Sequence, residues 1–253
     1  MNLENALVLN YGGGRQTVAI CVLIGRGVLP RPDHIVIADT SRENSSTWRY
    51  LEEYAGPYLA KHGLTVEVAP HSLATVGLYD KHGLTLMPVY TPTGKTRAYC
   101  SNEWKRRVVD RYLRSKGIQS GTRWIGFGFD EKRRWSSLHG ATEGKWTTIC
   151  PLVDLMINTE TCLRLIESEG LPIPQHSSCY MCPHKRNAEW RYIRDHYPDD
   201  WDKAIAMDEE VRDNDELKAV FLHHDRVPLR EANIDVDESE GKIQQCTLGV
   251  CFV

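Results

Sequence analysis

The stretch LVLNYGGGRQTVAI, Leu7–Ile20, decides how this 253-residue chain is read. Three consecutive glycines stand between two apolar runs. Glycine is the costliest residue to order, so a triplet marks a place where the backbone must take an unusual conformation or approach something closely. A strand that ends at YGGGRQT and enters a helix presents free backbone N–H groups at a helix N-terminus, a ready site for an anion. Read alone, the triplet is equally suited to a tight strand-to-helix turn. It is neither a Walker loop nor a complete G-x-G-x-x-G, because Thr17 stands where the third glycine would be.

Working outward, the first strand covers residues 6–11, and a helix from about Gln16 to Arg26 ends before Gly27. HIVIADT, 34–40, is a second buried strand. Residues 44–63 form a helix capped by Asn44 or Ser45, with Pro57 expected to kink or divide it. LTVEVA, 64–69, is a third strand, 70–95 is irregular, SNEWKRRVVDRYLRSKG is an amphipathic helix, and RWIGFGF, 123–129, is a further strand. Strands and helices alternating over short connections predict an α/β fold with a doubly wound, mainly parallel sheet. After Pro151 the character changes. Two expected helices, NAEWRYIRDHY and DDWDKAIAMDEEVRDN, lie among cysteine-containing stretches, so the chain divides into a nucleotide-binding domain, 1–150, and a small cysteine-bearing C-terminal lobe, 151–253.

A net charge of −3 argues against a protein that coats nucleic acid or membrane with its whole surface. The N-terminus carries Glu4 and no basic segment, and the longest apolar run, Val18–Ile24, is too short to span a bilayer. A cytoplasmic protein is expected, in which eight cysteines serve as metal ligands, redox groups or buried small hydrophobes rather than as disulfides. Cys179 and Cys182 in CYMC have the spacing that lets two thiolates face one metal. With Cys246 and Cys251 they would make a four-cysteine zinc site; with Cys100 and one tail cysteine they would suit a cluster. Cys21, Cys150 and Cys162 stand in apolar or helical runs and are expected in the core.

Helix 102–116 carries Lys105, Arg106, Arg107, Arg111, Arg114 and Lys116 against Glu103 and Asp110, a basic face that suits solvent or an anionic partner. The His-rich pieces LHHDR and PHKR could bind metal, but His184, His223 and His224 are read first as surface or packing histidines.

YGGGRQT, then ADTSRENSSTWRYL, then IGFGFDEKRR, YCSNEWK, PLVDL, SSCYMCPHKRNAEW and CTLGVCFV resemble, over nearly the whole chain, blocks of the PP-loop adenine-nucleotide α-hydrolase superfamily, and within it the phosphoadenosine-phosphosulfate reductase-like branch. Ala38, Asp39, Thr40, Glu43 and Thr47 match that branch's ADTGxExPxTYxYL block. The resemblance implies ATP or a related adenine nucleotide cradled by Gly12, Gly13, Gly14, Arg15, Gln16 and Thr17. Asp39, Thr40, Gly126, Asp130 and Arg133 would complete the nucleotide and Mg²⁺ site. It departs from the usual S-G-G-x-D-S loop at Gly12 and Gln16, and the lost acid bears on turnover more than on binding.

The same resemblance implies a [4Fe-4S] cluster on Cys100, Cys179, Cys182 and Cys246, with zinc as the alternative. Cys100 lies 79 positions before Cys179, as in the assimilatory adenylylsulfate reductases, with Tyr99 in place of their paired cysteine. The implied activity is cleavage of ATP at the α-phosphate to activate an acceptor, coupled to sulfur chemistry, with Arg15, Asp130 and a nucleophilic Cys251 as catalytic residues. Reduction of a sulfonucleotide to sulfite and a non-catalytic nucleotide- or nucleic-acid-binding protein with structural zinc are the other readings. The implied partners are a small-molecule nucleotide, a tRNA or DNA acceptor and a second copy of the chain, with no membrane.

Overall fold

The computed structural model describes residues 5–214, 216, 217 and 219–237. Cys246 and Cys251 lie outside the described residues.

A six-stranded sheet has the order β3-β2-β1-β6-β8-β7. Its strands are β1 (Ala6–Asn10), β2 (His34–Ala38), β3 (Val66–Ala69), β6 (Gly121–Trp124), β7 (Thr142–Glu143) and β8 (Trp146–Ile149). All neighbours pair in parallel except β7, which runs antiparallel at one edge. Side chains alternate along each strand, so successive residues feed opposite faces. Leu9, Ile35 and Ile37 meet α1 (Arg15–Gly25), α7 (Thr159–Glu167) and the helical segment that follows β2 in one core. Val8, Val36 and Ala38 meet Val108, Val109 and Leu113 of α4 (Arg107–Ser115) in another. Burial on both faces explains why the central strands read as continuous apolar runs.

Beyond Pro151, Leu152, Cys162 and Ile166 enter the first of these cores. A third core joins Leu86, Met87, Val89 and Trp104 from the irregular middle of the chain to Met181, Val211, Val220 and Leu222. A fourth packs Trp190 of α8 (Asn187–His196) on Ala204 and Ile205 of α9 (Pro198–Asn214). The smaller lobe thus draws on segments from both sides of residue 151. A short hairpin, β4 (Tyr90–Thr91) with β5 (Gly94–Lys95), belongs to it through the pairing of Tyr90 with Phe221. No helix among the described residues is long and apolar enough to cross a membrane.

Two helices differ from the expected pattern. The segment after β2 is α2 (Ser45–Tyr50), a π-helical turn Leu51–Ala55, and α3 (Gly56–Lys61). The wider turn brings the Gly56 N–H to the Leu51 carbonyl and divides the helix just before Pro57, which stands in the first turn of α3 where its missing N–H costs least. A second π-helical turn, Ser101–Arg106, leads into α4. The strand expected over 123–129 ends at Trp124, because the chain then folds against the start of α1: a Cβ on Gly126 would lie 2.7 Å from Thr17 Cγ2 and 3.0 Å from the Thr17 nitrogen.

Candidate functional site

The strand order reverses between β1 and β6, and in open α/β sheets such a switch point opens a crevice at the carboxyl ends of the strands. The loops after these two strands line a pocket here, made by Gly12, Gly14, Arg15, Gln16, Thr17, Gly126, Glu131, Arg134, His176 and Ser177. Gly14 is the N-cap of α1 in extended conformation (φ −95°, ψ 176°) and brings no capping side chain. No acidic residue stands in the first turn. The helix therefore turns its N-terminal donors and its positive dipole end toward the pocket.

Gly13 takes φ 71°, and a Cβ there would meet Thr47 Cγ2 at 2.5 Å. The loop is glycine-rich because it turns left-handed against a buried threonine, besides facing the pocket. At its mouth, Arg15 Nε donates to the Pro174 carbonyl at 3.4 Å. Gln16 Nε2 donates to Glu131 Oε2 at 3.1 Å. Glu131 also accepts the Gly128 N–H at 2.9 Å and pairs with Arg134. The carboxylate absent at position 16 is thus present in the pocket, carried by the opposite loop.

The other expected nucleotide residues lie apart from this lining. Asp39 Oδ1 accepts the Ser41 N–H at 2.6 Å, closing a turn in which Ser41 has φ 55°. Thr40 is buried, with Oγ1 3.8 Å from Cys179 Sγ. Asp130 Oδ1 accepts the Thr159 N–H at 3.0 Å at the start of α7. Arg133 is exposed on α5 (Lys132–Trp135), and its neighbour Arg134 joins Arg15 in lining the pocket.

Cys100, Cys179 and Cys182 come together from two distant stretches and sense one another electrostatically. The chain at Arg42–Asn44 holds the CYMC loop like a short antiparallel ladder, with Tyr180 N–H to the Arg42 carbonyl at 2.8 Å and Asn44 N–H to the Ser178 carbonyl at 3.0 Å. Glu43, 3% exposed at its side chain, pairs with Lys105 and lies 3.9 Å from Cys179 Sγ. Arg42 stacks on Trp104 at 4.5 Å.

Burial pushes the Cys100 thiol up to about 12, with Cys182 adding to the rise and Lys105 opposing it. Burial likewise raises Cys179, helped by Glu43 and opposed by Lys105. Cys182 is raised by burial, against Lys185 and Lys95. Burial lowers Lys185, 3% exposed, whose ammonium donates to Ser178 Oγ. Burial also pulls on Lys105, but Glu43 and then Cys179 overcome it and hold the ammonium charged. Without a metal the three thiols are protonated at neutral pH, and three lysines stand ready to balance thiolate charge. The three sulfurs do not all lie within 4.8 Å of one another. A zinc ion draws its thiolates to about 3.8 Å apart, from Zn–S bonds of about 2.3 Å.

The two assemblies share one strand of chain. Ser177 lines the pocket, its Oγ 3.0 Å from where a Cβ on Gly14 would stand, and Cys179 is two residues further on. Two extended residues span at most about 7 Å. The pocket residues Arg134, His176 and Ser177, and Lys95 and Lys185 beside the thiols, were not expected from sequence. His176 and Ser177 had a signal in their position directly before CYMC.

No family model matches the sequence, and no curated protein matches it. Among solved structures the chain is similar to the U34-tRNA thiolase NcsA from Methanococcus maripaludis with its [4Fe-4S] cluster, at 11% identity and a TM-score of 0.48, over 83% of this chain and 74% of that one. Thiolation of tRNA and the cluster are properties of that protein.

Proposed function

We propose that this chain is an enzyme that binds ATP or a related adenine nucleotide in the glycine-loop pocket, cleaves it at the α-phosphate to adenylate an acceptor with release of pyrophosphate, and delivers to that acceptor a sulfide supplied by an external donor and held at the adjoining cysteines, with AMP as the leaving group. The carrying observation is the segment Ser177–Cys179, which places the anion pocket within two residues of the thiol cluster. Backbone donors of α1, Arg15 and Arg134 would hold the phosphates and balance charge developing there. Glu131 takes the place of the acid missing from the loop, and Gln16 steadies it. Mg²⁺ would be held at Glu131.

Cys100, Cys179 and Cys182 fit a [4Fe-4S] cluster in donor chemistry, in spacing wider than a zinc site and in their lysine surroundings. The cluster would supply a site for sulfur. A fourth ligand from Cys246, and a nucleophilic role for Cys251, belong to the same reading. The acceptor is a tRNA or DNA.

The full chain purified without oxygen tests this. About four irons and four acid-labile sulfides per chain, with pyrophosphate released from ATP, are expected. Zinc without sulfide, or unchanged ATP affinity in Arg15→Ala/Arg134→Ala, would overturn it.

A further inference from the structure

Apart from both the pocket and the thiols, His223, His224 and Asp225 form the one group of three metal-ligating side chains, among the described residues, whose donor atoms all lie within 4.8 Å of one another. We infer that these three residues bind a divalent transition-metal ion through two imidazoles and one carboxylate. This goes beyond the proposed nucleotide and sulfur chemistry and does not depend on it.

His223 is fully buried, and its hydrogen bonds determine its tautomer. The Asp225 N–H donates to Nδ1 at 3.2 Å, so Nδ1 carries the lone pair and Nε2 the proton. Nε2 then donates to Asn187 Oδ1 at 2.9 Å. Asn187 is oriented independently, because its Nδ2 donates to the Val236 carbonyl at 2.7 Å and the Asn233 carbonyl at 3.3 Å. An imidazole whose remote nitrogen donates to an oriented acceptor, with its lone pair facing a carboxylate, is what second-shell bonding does for a metal-ligating histidine.

The carboxylate completes the geometry. Asp225 Oδ2 lies 3.9 Å from His223 Nδ1, and its Oδ1 lies 3.5 Å from His224 Nε2. Metal–ligand bonds of about 2.0–2.2 Å at tetrahedral angles put donor atoms about 3.3 Å apart. The two Asp225 contacts are a few tenths of an ångström longer than this and the three donors as a set lie within 4.8 Å, so an ion would draw them together at the cost of the weak Asp225 N–H bond. His224 brings a second buried imidazole to the same carboxylate: its side chain is 4% exposed, and Nε2 is the nitrogen that faces Asp225. Asp225 is 38% exposed, which leaves a path for an ion and an open coordination position. Two imidazoles and a carboxylate suit zinc, nickel, copper or iron rather than calcium or magnesium.

Cobalt(II) is the probe, titrated into the full-length protein and followed by visible absorption. Thiolate-bound cobalt shows a sulfur-to-metal charge-transfer band, whereas nitrogen and oxygen ligation shows d–d bands alone. One equivalent without the charge-transfer band is expected in the wild type. Its affinity should fall at least about 100-fold in His224→Ala and in Asp225→Ala. The second variant alters a half-exposed side chain and leaves the fold intact, as circular dichroism would confirm. A zinc-dependent rise in melting temperature should be present in the wild type and absent in both variants. The inference is overturned if all bound cobalt carries the charge-transfer band, or if Asp225→Ala binds cobalt as the wild type does.

Discussion

Replacing Gly13 by alanine separates two reasons for a glycine at one position. Gly13 has φ 71° and Gly27 has φ 70°, so alanine pays the same left-handed penalty at both sites, about 1–2 kcal/mol. A Cβ at Gly27 meets nothing within 4 Å, whereas at Gly13 it stands 2.5 Å from Thr47 Cγ2. Thr47 is 4% exposed in the first turn of α2, and a β-branched side chain in a helix has little rotamer freedom with which to yield. Overpacking of this kind adds about 1–3 kcal/mol. Gly13→Ala should therefore cost about 2–5 kcal/mol, against about 1–2 for Gly27→Ala.

Thr47→Ser removes the offending methyl and isolates the overlap. In a double-mutant cycle read by urea denaturation, the Gly13→Ala/Thr47→Ser pair should show a favourable coupling of about 1–3 kcal/mol. ATP affinity should fall at least about tenfold in Gly13→Ala and recover in part in the double variant. Equal costs at Gly13 and Gly27, or a coupling near zero, would refute the close packing of the loop on α2.

Three further perturbations probe the electrostatics. The Glu189 carboxyl is raised by burial but carried down to about 2 by the His176 hydrogen bond, the His176 and Lys185 charges and the Arg186 N–H. Its folded value lies below the unfolded one, so it contributes about 2–3 kcal/mol that is present above about pH 4.3 and lost as pH falls toward 2; Glu189→Gln should flatten urea stability across that window. Lys105→Met strands Glu43, whose Oε2 already has no partner, and should cost about 3–5 kcal/mol in thermal or urea unfolding. Adding Glu43→Gln should return most of that loss, and failure to do so would mean the pair is not coupled. Gln16→Glu places a second carboxylate beside Glu131 Oε2, now 3.1 Å from the Gln16 amide. Like-charge repulsion disfavours the doubly ionised pair, so a loss of about 1–2 kcal/mol at pH 8 should fade as pH falls through about 5, be gone below about 4, and shrink when Mg²⁺ is added.

What could be read from the sequence follows from which forces are local. The central strands were legible because both faces are buried, which writes an unbroken apolar run at Ala6–Leu9 and Ile35–Ala38. The glycine loop was legible because left-handed backbone at Gly13 demands that residue. The β7–β8 hairpin was not, because Thr142–Ile149 is short, polar and half-exposed, with a pattern that mimics a loop. Pro57 announced a division of the helix over 44–63, but not its form, since a single π-helical turn leaves no mark in hydrophobic periodicity. Lys95 and Lys185 reach the thiols only through the packing of the lobe, and a lysine in a polar stretch reads as a surface residue.

Position 16 shows the same limit at the site itself. From the sequence, glutamine in place of the family's aspartate looks like the loss of a phosphate or magnesium contact. In the fold, Gln16 instead reaches across the pocket to Glu131, a residue 115 positions away in the chain. An aspartate at 16 would bring two carboxylates together at the N-terminus of α1, whereas the amide donates to the one at 131. Gln16 and Glu131 are thus matched in their hydrogen bonding. If the match is the reason for both, then Glu131→Gln should weaken magnesium-dependent ATP binding in the wild type, and the reciprocal exchange Gln16→Asp/Glu131→Gln should restore it. A double variant no better than Glu131→Gln alone would show that the two positions are independent, and that the acid at 131 serves only to pair with Arg134.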